Sequence, residues 1–179
     1  PPTDEEGWSG LQTFVRELMI RKGKLYQTPV RGFEALKKDE LFCAKNGEII
    51  SDRLHGQMPN SAIIRIENPD AESLDLNLFS RNYVIARGFA ISYEKYTKRL
   101  RIDRSDLTNQ LNVEYGTDRQ IILENGLTSM DIFVDHSTVE IFVNEGEYVL
   151  SARIFPTKEE HMIRMGGKNL NLSIWSTEP

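Results

Sequence analysis

Period-two alternation of apolar and polar residues runs through most of this chain. Between residues 73 and 80, Leu74, Leu76 and Leu78 oppose Asp75 and Asn77. Leu100 and Ile102 alternate with Arg99, Arg101 and Asp103, and Leu170, Leu172 and Ile174 alternate with Asn171 and Ser173. Each pattern predicts a half-buried strand, one face in a core and one in water. From residue 127 to 155 the alternation passes through two reversals, Asp135-His136-Ser137 and Asn144-Glu145-Gly146. Gly146 supplies a positive φ cheaply in the second. Val139, Ile141 and Val143 then share a face opposite Thr138, Glu140 and Phe142, and Tyr148, Leu150, Ala152 and Ile154 continue towards Pro156, which ends the pairing. A three-strand meander is predicted here.

Similar segments elsewhere bring the expectation to about a dozen short strands. That spacing suggests a two-sheet sandwich or a closed barrel; a dozen strands in one open sheet would be unusual, so the expected fold class is all-β, two packed antiparallel sheets in a jelly-roll or concanavalin-like sandwich. Only residues 31–41 read as helical, with Phe33, Leu36 and Lys37 on one side of a short turn after Pro29. A domain boundary is expected there.

Composition narrows the partners. The 179 residues carry 22 basic and 27 acidic side chains, a formal charge of −5, which offers no broad basic field for nucleic acid or anionic lipid. No apolar run approaches the length of a membrane span. The polar start, Pro1-Pro2-Thr3-Asp4, has neither the parts of a signal peptide nor an initiator Met, so a beginning inside a longer protein is expected. Cys43 is the single cysteine, which excludes an internal disulfide or a cysteine-based metal cluster. Leu41-Phe42-Cys43-Ala44 suggests that it is a small core residue.

Residues able to do chemistry are sparse. His55, His136 and His161 are far apart in sequence and form no metal-binding spacing; His55 and His136 fall in expected turns. Gly166-Gly167-Lys168 lacks the rest of a phosphate loop and reads as a hairpin turn. The basic stretch from Lys95 to Arg104 alternates and contains Asp103, as the wet face of a strand would. Asn171-Leu172-Ser173 fits a glycosylation triplet but lies in an expected strand. Asp135, Glu140 and Glu145 cannot be paired into a glycosidase acid and nucleophile from sequence. Glu140 sits mid-strand between apolar residues and is expected to be buried in an ion pair, with Arg153 on the next strand as its partner. No catalytic, substrate-binding or metal-binding residue is assigned, and no cofactor.

Certain longer segments are more specific. Asp135-His136-Ser137-Thr138-Val139-Glu140-Ile141-Phe142-Val143-Asn144-Glu145-Gly146-Glu147, followed by Ala152-Arg153-Ile154-Phe155-Pro156, resembles a signature of glycoside hydrolase family 32. Tyr93 and Leu100 through Ser105 are similar to a strand pair of that family. Gly7-Trp8-Ser9-Gly10, Thr13 to Leu18, and Gly23 to Val30 resemble the end of its catalytic domain, with Val15 standing where a Pro is usual.

The resemblance implies an N-terminal five-bladed β-propeller joined to a C-terminal sandwich of two six-stranded sheets, releasing fructose by a retaining mechanism. Its three catalytic carboxylates lie in N-D-P-N-G, R-D-P and E-C motifs, and none of these motifs is present; the chain has no Asp-Pro dipeptide. The implied division is residues 1–30 as a remnant of the last propeller blade, 31–38 as a linker helix and 39–179 as the sandwich.

The expected role is therefore a non-catalytic module whose partner is the propeller of the same protein. The parent is expected to be a cytoplasmic enzyme acting on sucrose 6-phosphate or sucrose, with a secreted invertase or fructan hydrolase as the alternative. Lectin-like sugar binding, with Trp175 and Tyr148 as stacking candidates, and self-association through newly exposed apolar surface are the alternatives. Trp8, Phe14 and Val15 are expected either to pack on the sandwich or to stay partly exposed.

Overall fold

The computed structural model describes residues 2–45, 56–67, 71–81 and 88–178. His55 lies outside them. A hairpin comes first, β1 (Arg16–Arg21) paired antiparallel with β2 (Lys24–Pro29). The expected helix is one 3-10 turn, Phe33–Leu36. Gly32 enters it in the left-handed region and Lys37 leaves it extended, so only one turn has room to form. Phe33 packs inward while Leu36 is left exposed.

The remaining strands are β3 (Glu40–Ala44), β4 (Gly56–Gln57), β5 (Ser61–Glu67), β6 (Ser73–Ser80), β7 (Phe89–Glu94), β8 (Arg99–Asp103), β9 (Asp118–Ile122), β10 (Ser129–Asp135), β11 (Thr138–Val143), β12 (Tyr148–Arg153), β13 (Met162–Lys168) and β14 (Asn171–Ser176). They make two six-stranded antiparallel sheets. The first has the order β12-β11-β10-β5-β14-β3 and the second β4-β13-β6-β7-β8-β9.

The core lies between the sheets. Ile64 and Ile66 of β5, Ile132 of β10 and Val139 and Ile141 of β11 face Leu74, Leu76 and Leu78 of β6, Ile91 of β7 and Leu100 of β8. The alternating positions read from the sequence are thus the inward ones, at roughly 1.5–3 kcal/mol for each large side chain fully buried. The meander forms as expected, with β10, β11 and β12 adjacent. His136 has φ 46° in its first reversal; Asn144, Glu145 and Gly146 all have positive φ in its second. The carboxamide of Asn144 holds that second turn, accepting from the Thr128 N–H and hydroxyl and donating to the Gly126 carbonyl.

Two local expectations are corrected. Gly166 and Gly167 are not a turn; they are paired inside β13 opposite Asp75 and Leu74. A Cβ on Gly167 would come 2.4 Å from Leu170 Cδ1, so glycine there answers to close packing, and the reversal falls at Asn169 with φ 59°. Cys43 is exposed, because β3 turns Phe42 and Ala44 towards the core and leaves Cys43 on the other side of an edge strand.

Candidate domain interface

The outer face of the first sheet is where this molecule departs from a simple wet-and-dry sandwich. Ile63, Phe133 and Phe142 point away from the inter-sheet core, yet all three are buried. Residues 9–37 cover them. Phe14 stacks on Phe133 with ring centroids 4.3 Å apart, and Phe33 meets Phe133 edge-on at 5.3 Å. Phe142 closes the group edge-on at 5.5 Å. These are the offset and edge-to-face arrangements that the ring quadrupole favours. Val149 and Trp175 pack at the border, and the Lys37 ammonium sits 3.7 Å from the Trp175 ring centroid.

One ion pair locks the cover down. Glu140, buried in the middle of β11, accepts a 2.6 Å bond from Arg16 Nη2 and another from the Phe14 backbone N–H. Arg16 also donates to Gln27 Oε1 and Ser151 Oγ. The burial foreseen for Glu140 is found, but its partner is not Arg153. In the β11–β12 register Glu140 faces Ser151, whereas Arg153 faces Thr138 and donates to the Ser9 carbonyl. A buried carboxylate needs a cation with good geometry, and here the preceding segment brings it.

The hairpin is tied to the meander's second turn as well. Gln27 N–H donates to the Gly146 carbonyl at 2.9 Å. A Cβ on Gly146 would come 2.2 Å from the Gln27 oxygen, so glycine serves both the left-handed φ of 83° and the close approach. Lys24 pairs with Glu124 and Glu147, which raises its pKa well above the ordinary lysine range, the Glu124 hydrogen bond contributing most. Nearby, Arg65 bridges Asp131 at 2.7 Å and Glu34 at 2.6 Å. Burial works against the charged form of Glu34, but its bonds to Lys37 and Arg65 outweigh this and lower its pKa.

The large apolar side chains of the hairpin are left open among the described residues. Leu18 and Ile20 on β1 and Leu25 on β2 share a face by register, and they are 68%, 77% and 52% exposed. Val15, just before β1, is 66% exposed. Trp8 and Val15 are thus open to solvent in part, while Phe14 packs. Leu18, Ile20 and Leu25 together form an apolar patch of the kind that marks an interaction surface, with Val15 open on the other side of the hairpin.

The sequence candidates for chemistry are dispersed and engaged. Asp135 bonds its neighbour His136, Glu145 pairs with exposed Arg21, and Glu140 is committed to Arg16. His161 Nδ1 lies 2.9 Å from the Lys158 carbonyl oxygen. Among the described residues no group of three His, Cys, Asp or Glu side chains is placed to hold a metal ion. Arg101 on the basic stretch pairs with Asp103 and Asp118. Tyr148 packs against the core and its hydroxyl accepts from the Glu124 N–H. No helix among the described residues is long and apolar enough to cross a membrane.

Arg16, Phe14, Phe33 and Phe133 were not singled out from sequence as a group. The available signal was the unbroken apolar runs Ile132-Phe133-Val134 and Ile141-Phe142-Val143, which suit strands covered on both faces.

Comparison with known proteins agrees with this architecture. Sucrose-6-phosphate hydrolase of Staphylococcus xylosus is 31% identical over 154 residues, covering 86% of this chain and 31% of that protein. The Streptococcus mutans protein of the same name is 30% identical over 168 residues, covering 93% of this chain and 33% of that one. The solved structure of sucrose-6-phosphate hydrolase from Lactobacillus gasseri superposes with a TM-score of 0.81 at 28% identity, over 99% of this chain and 36% of that one. The exo-inulinase of Aspergillus awamori, at 18% identity and TM-score 0.72, shares the fold. The chain spans about a third of the length of the curated relatives it matches. Residues 35–176 match the family described as "Glycosyl hydrolases family 32 C terminal", and the chain belongs to that family as its C-terminal β-sandwich.

Proposed function

We propose that this chain is the non-catalytic sandwich of a fructosyl glycoside hydrolase, and that it stabilises a preceding catalytic domain through the β1–β2 hairpin. In this reading residues 1–30 are the closing strands of the last propeller blade. The catalytic acid and nucleophile would reside in that preceding domain, and the parent would hydrolyse sucrose 6-phosphate, the substrate named for the relatives that match most of this chain. The scarce cysteine and the acidic balance support a cytosolic parent.

The observation that carries the proposal is the contrast between the anchored start of the N-terminal segment and its open hairpin end. Arg16 and Phe14 fix it to the sheet, while Leu18, Ile20 and Leu25 present an apolar face that is more than half exposed among the described residues. At about 25 cal/mol per Å² such surface contributes substantially when a further strand or domain covers it.

The test supplies a separately produced catalytic portion to the 179-residue chain. The two are expected to associate, and the mixture to cleave sucrose 6-phosphate, while the chain alone cleaves none. Replacing Leu18 and Ile20 by Asp should abolish association with the sandwich still folded. Enzyme-like hydrolysis by the chain alone would overturn the non-catalytic role. Sedimentation of the chain as a stable dimer, unchanged by adding the catalytic portion, would overturn the docking role in favour of self-association.

A further inference from the structure

A second feature lies where the edge strand β12 meets the end of β8 and the loop leading into β9. A cavity of about 350 Å³ opens there, within the size range of small-ligand pockets. Phe89 and Ile102 contribute apolar lining, and Arg104, Arg119 and Arg153 also border it. The wall has hydroxyls from Ser9, Thr117 and Ser151 and, among the described residues, no carboxylate. In a chain of net charge −5 this local excess of cations is conspicuous.

Most other described arginines are neutralised, Arg16, Arg65, Arg101 and Arg164 among them each holding a carboxylate. None of the three around the cavity does so among the described residues. Arg119 is held in place by donating to the carbonyls of Asp118 at 2.6 Å and Tyr115 at 3.0 Å. Gly116 approaches it closely, at a φ of 84° that favours glycine, and a Cβ there would come 3.3 Å from Arg119 Nη1. Arg153 lies between Trp8 and Phe155, its guanidinium carbon 5.6 Å and 4.8 Å from their ring centroids. Its Nη1 donates to the Ser9 carbonyl, but Nε and Nη2 are buried with no acceptor. Buried donors of this kind call for an ion or water that completes them.

We infer that this cavity is an oxyanion site that takes a doubly charged phosphate group. Guanidinium forks match phosphate oxygens in shape and charge, and three of them offset the dianion's desolvation. The aromatic faces around Arg153 hold one donor rigidly, so less freedom is lost on binding. The site does not depend on the docking role proposed above, because its residues come from the sandwich and the segment folded on it.

Titration of the 179-residue chain with inorganic phosphate at fixed ionic strength tests this, followed by calorimetry and by the amide signals of residues 104 and 116–119. Saturable binding is expected. R104Q and R119Q together should weaken it by at least about tenfold. Both side chains are at least partly open to solvent, so the double variant is expected to keep the wild-type circular dichroism. R99Q, an exposed arginine on the same β8, should leave binding unchanged. A hexose phosphate bound more tightly than inorganic phosphate assigns the site to a sugar ester; equal affinity assigns it to the free anion. Absence of saturation, binding unaltered in R104Q/R119Q, or an equal loss in R99Q would overturn the inference.

Discussion

The outer faces of the two sheets are built from the same alternating strands, yet they meet different surroundings. On the second sheet, outward positions hold Asp75, Arg101, Asp103 and Arg164 in ion pairs that solvent reaches. On the first sheet, outward positions hold Ile63, Phe133, Phe142 and the buried Glu140, all beneath residues 9–37. Alternation reports which side faces the inter-sheet core. What covers the other side is reported by the chemistry of the intervening residues, polar where water lies and aromatic where another segment lies. The inter-sheet core and this covered face are therefore two different layers, one made by the sheets themselves and one completed by a segment from before them.

The inner layer should respond most strongly. Ile64 is fully buried between the sheets, and Ile64→Ala is expected to cost about 2–5 kcal/mol by urea unfolding, through lost transfer energy and the cavity left behind. All strands should lose protection together. Arg16→Met should cost less, about 2–3 kcal/mol, because Glu140 is left without its cation while part of the loss is recovered through water at the partly exposed Arg16 site. Its signature should also differ. Amide exchange is expected to quicken over residues 14–30 while β6, β7 and β8 keep their protection. Equal acceleration throughout would show that cover and core are one cooperative unit.

This division also explains how far the sequence could be read. Leu74, Leu76, Leu78, Leu100 and Ile102 declare their strands because a single environment, the core, selects every second residue. The meander was legible for the same reason, helped by turn residues that tolerate positive φ. Cys43 misled, because small size permits burial without requiring it, and the β3 register left it outside. Gly167 misled because close packing and a turn ask for the same residue. The Glu140–Arg16 pair was half legible: an acid among apolar neighbours signals a buried partner. The partner's position 124 residues earlier follows only from the way the hairpin folds back.

Gly146 sharpens the boundary between the two layers. Gly146→Ala would place a methyl group against the Gln27 carbonyl and hold an alanine at φ 83°. An expected cost of about 1–2 kcal/mol combines backbone strain with displacement of the hairpin. The increase in proteolytic cutting should be confined to residues 22–30. Cutting within β10 or β11 at the same rate would mean that the turn supports the meander more than the cover.

The smallest effect belongs to the ion network at the edge of the cover. Glu34 joins Lys37 and Arg65, and its pKa is lowered from the ordinary 4.5 by those bonds despite some burial. Since the folded state holds the proton more weakly than the unfolded state, the stabilisation is complete above pH 4.5. It declines below that value and is gone once pH has fallen through the lowered folded pKa. Glu34→Gln should therefore lower stability by less than about 1 kcal/mol near neutrality, discounted because the side chain is half exposed. Arg65 is not orphaned in that variant, because Asp131 still holds it. Urea midpoints of the two proteins should converge as the solution is acidified, and a gap that widened towards low pH would show that Glu34 contributes through packing and not through its charge.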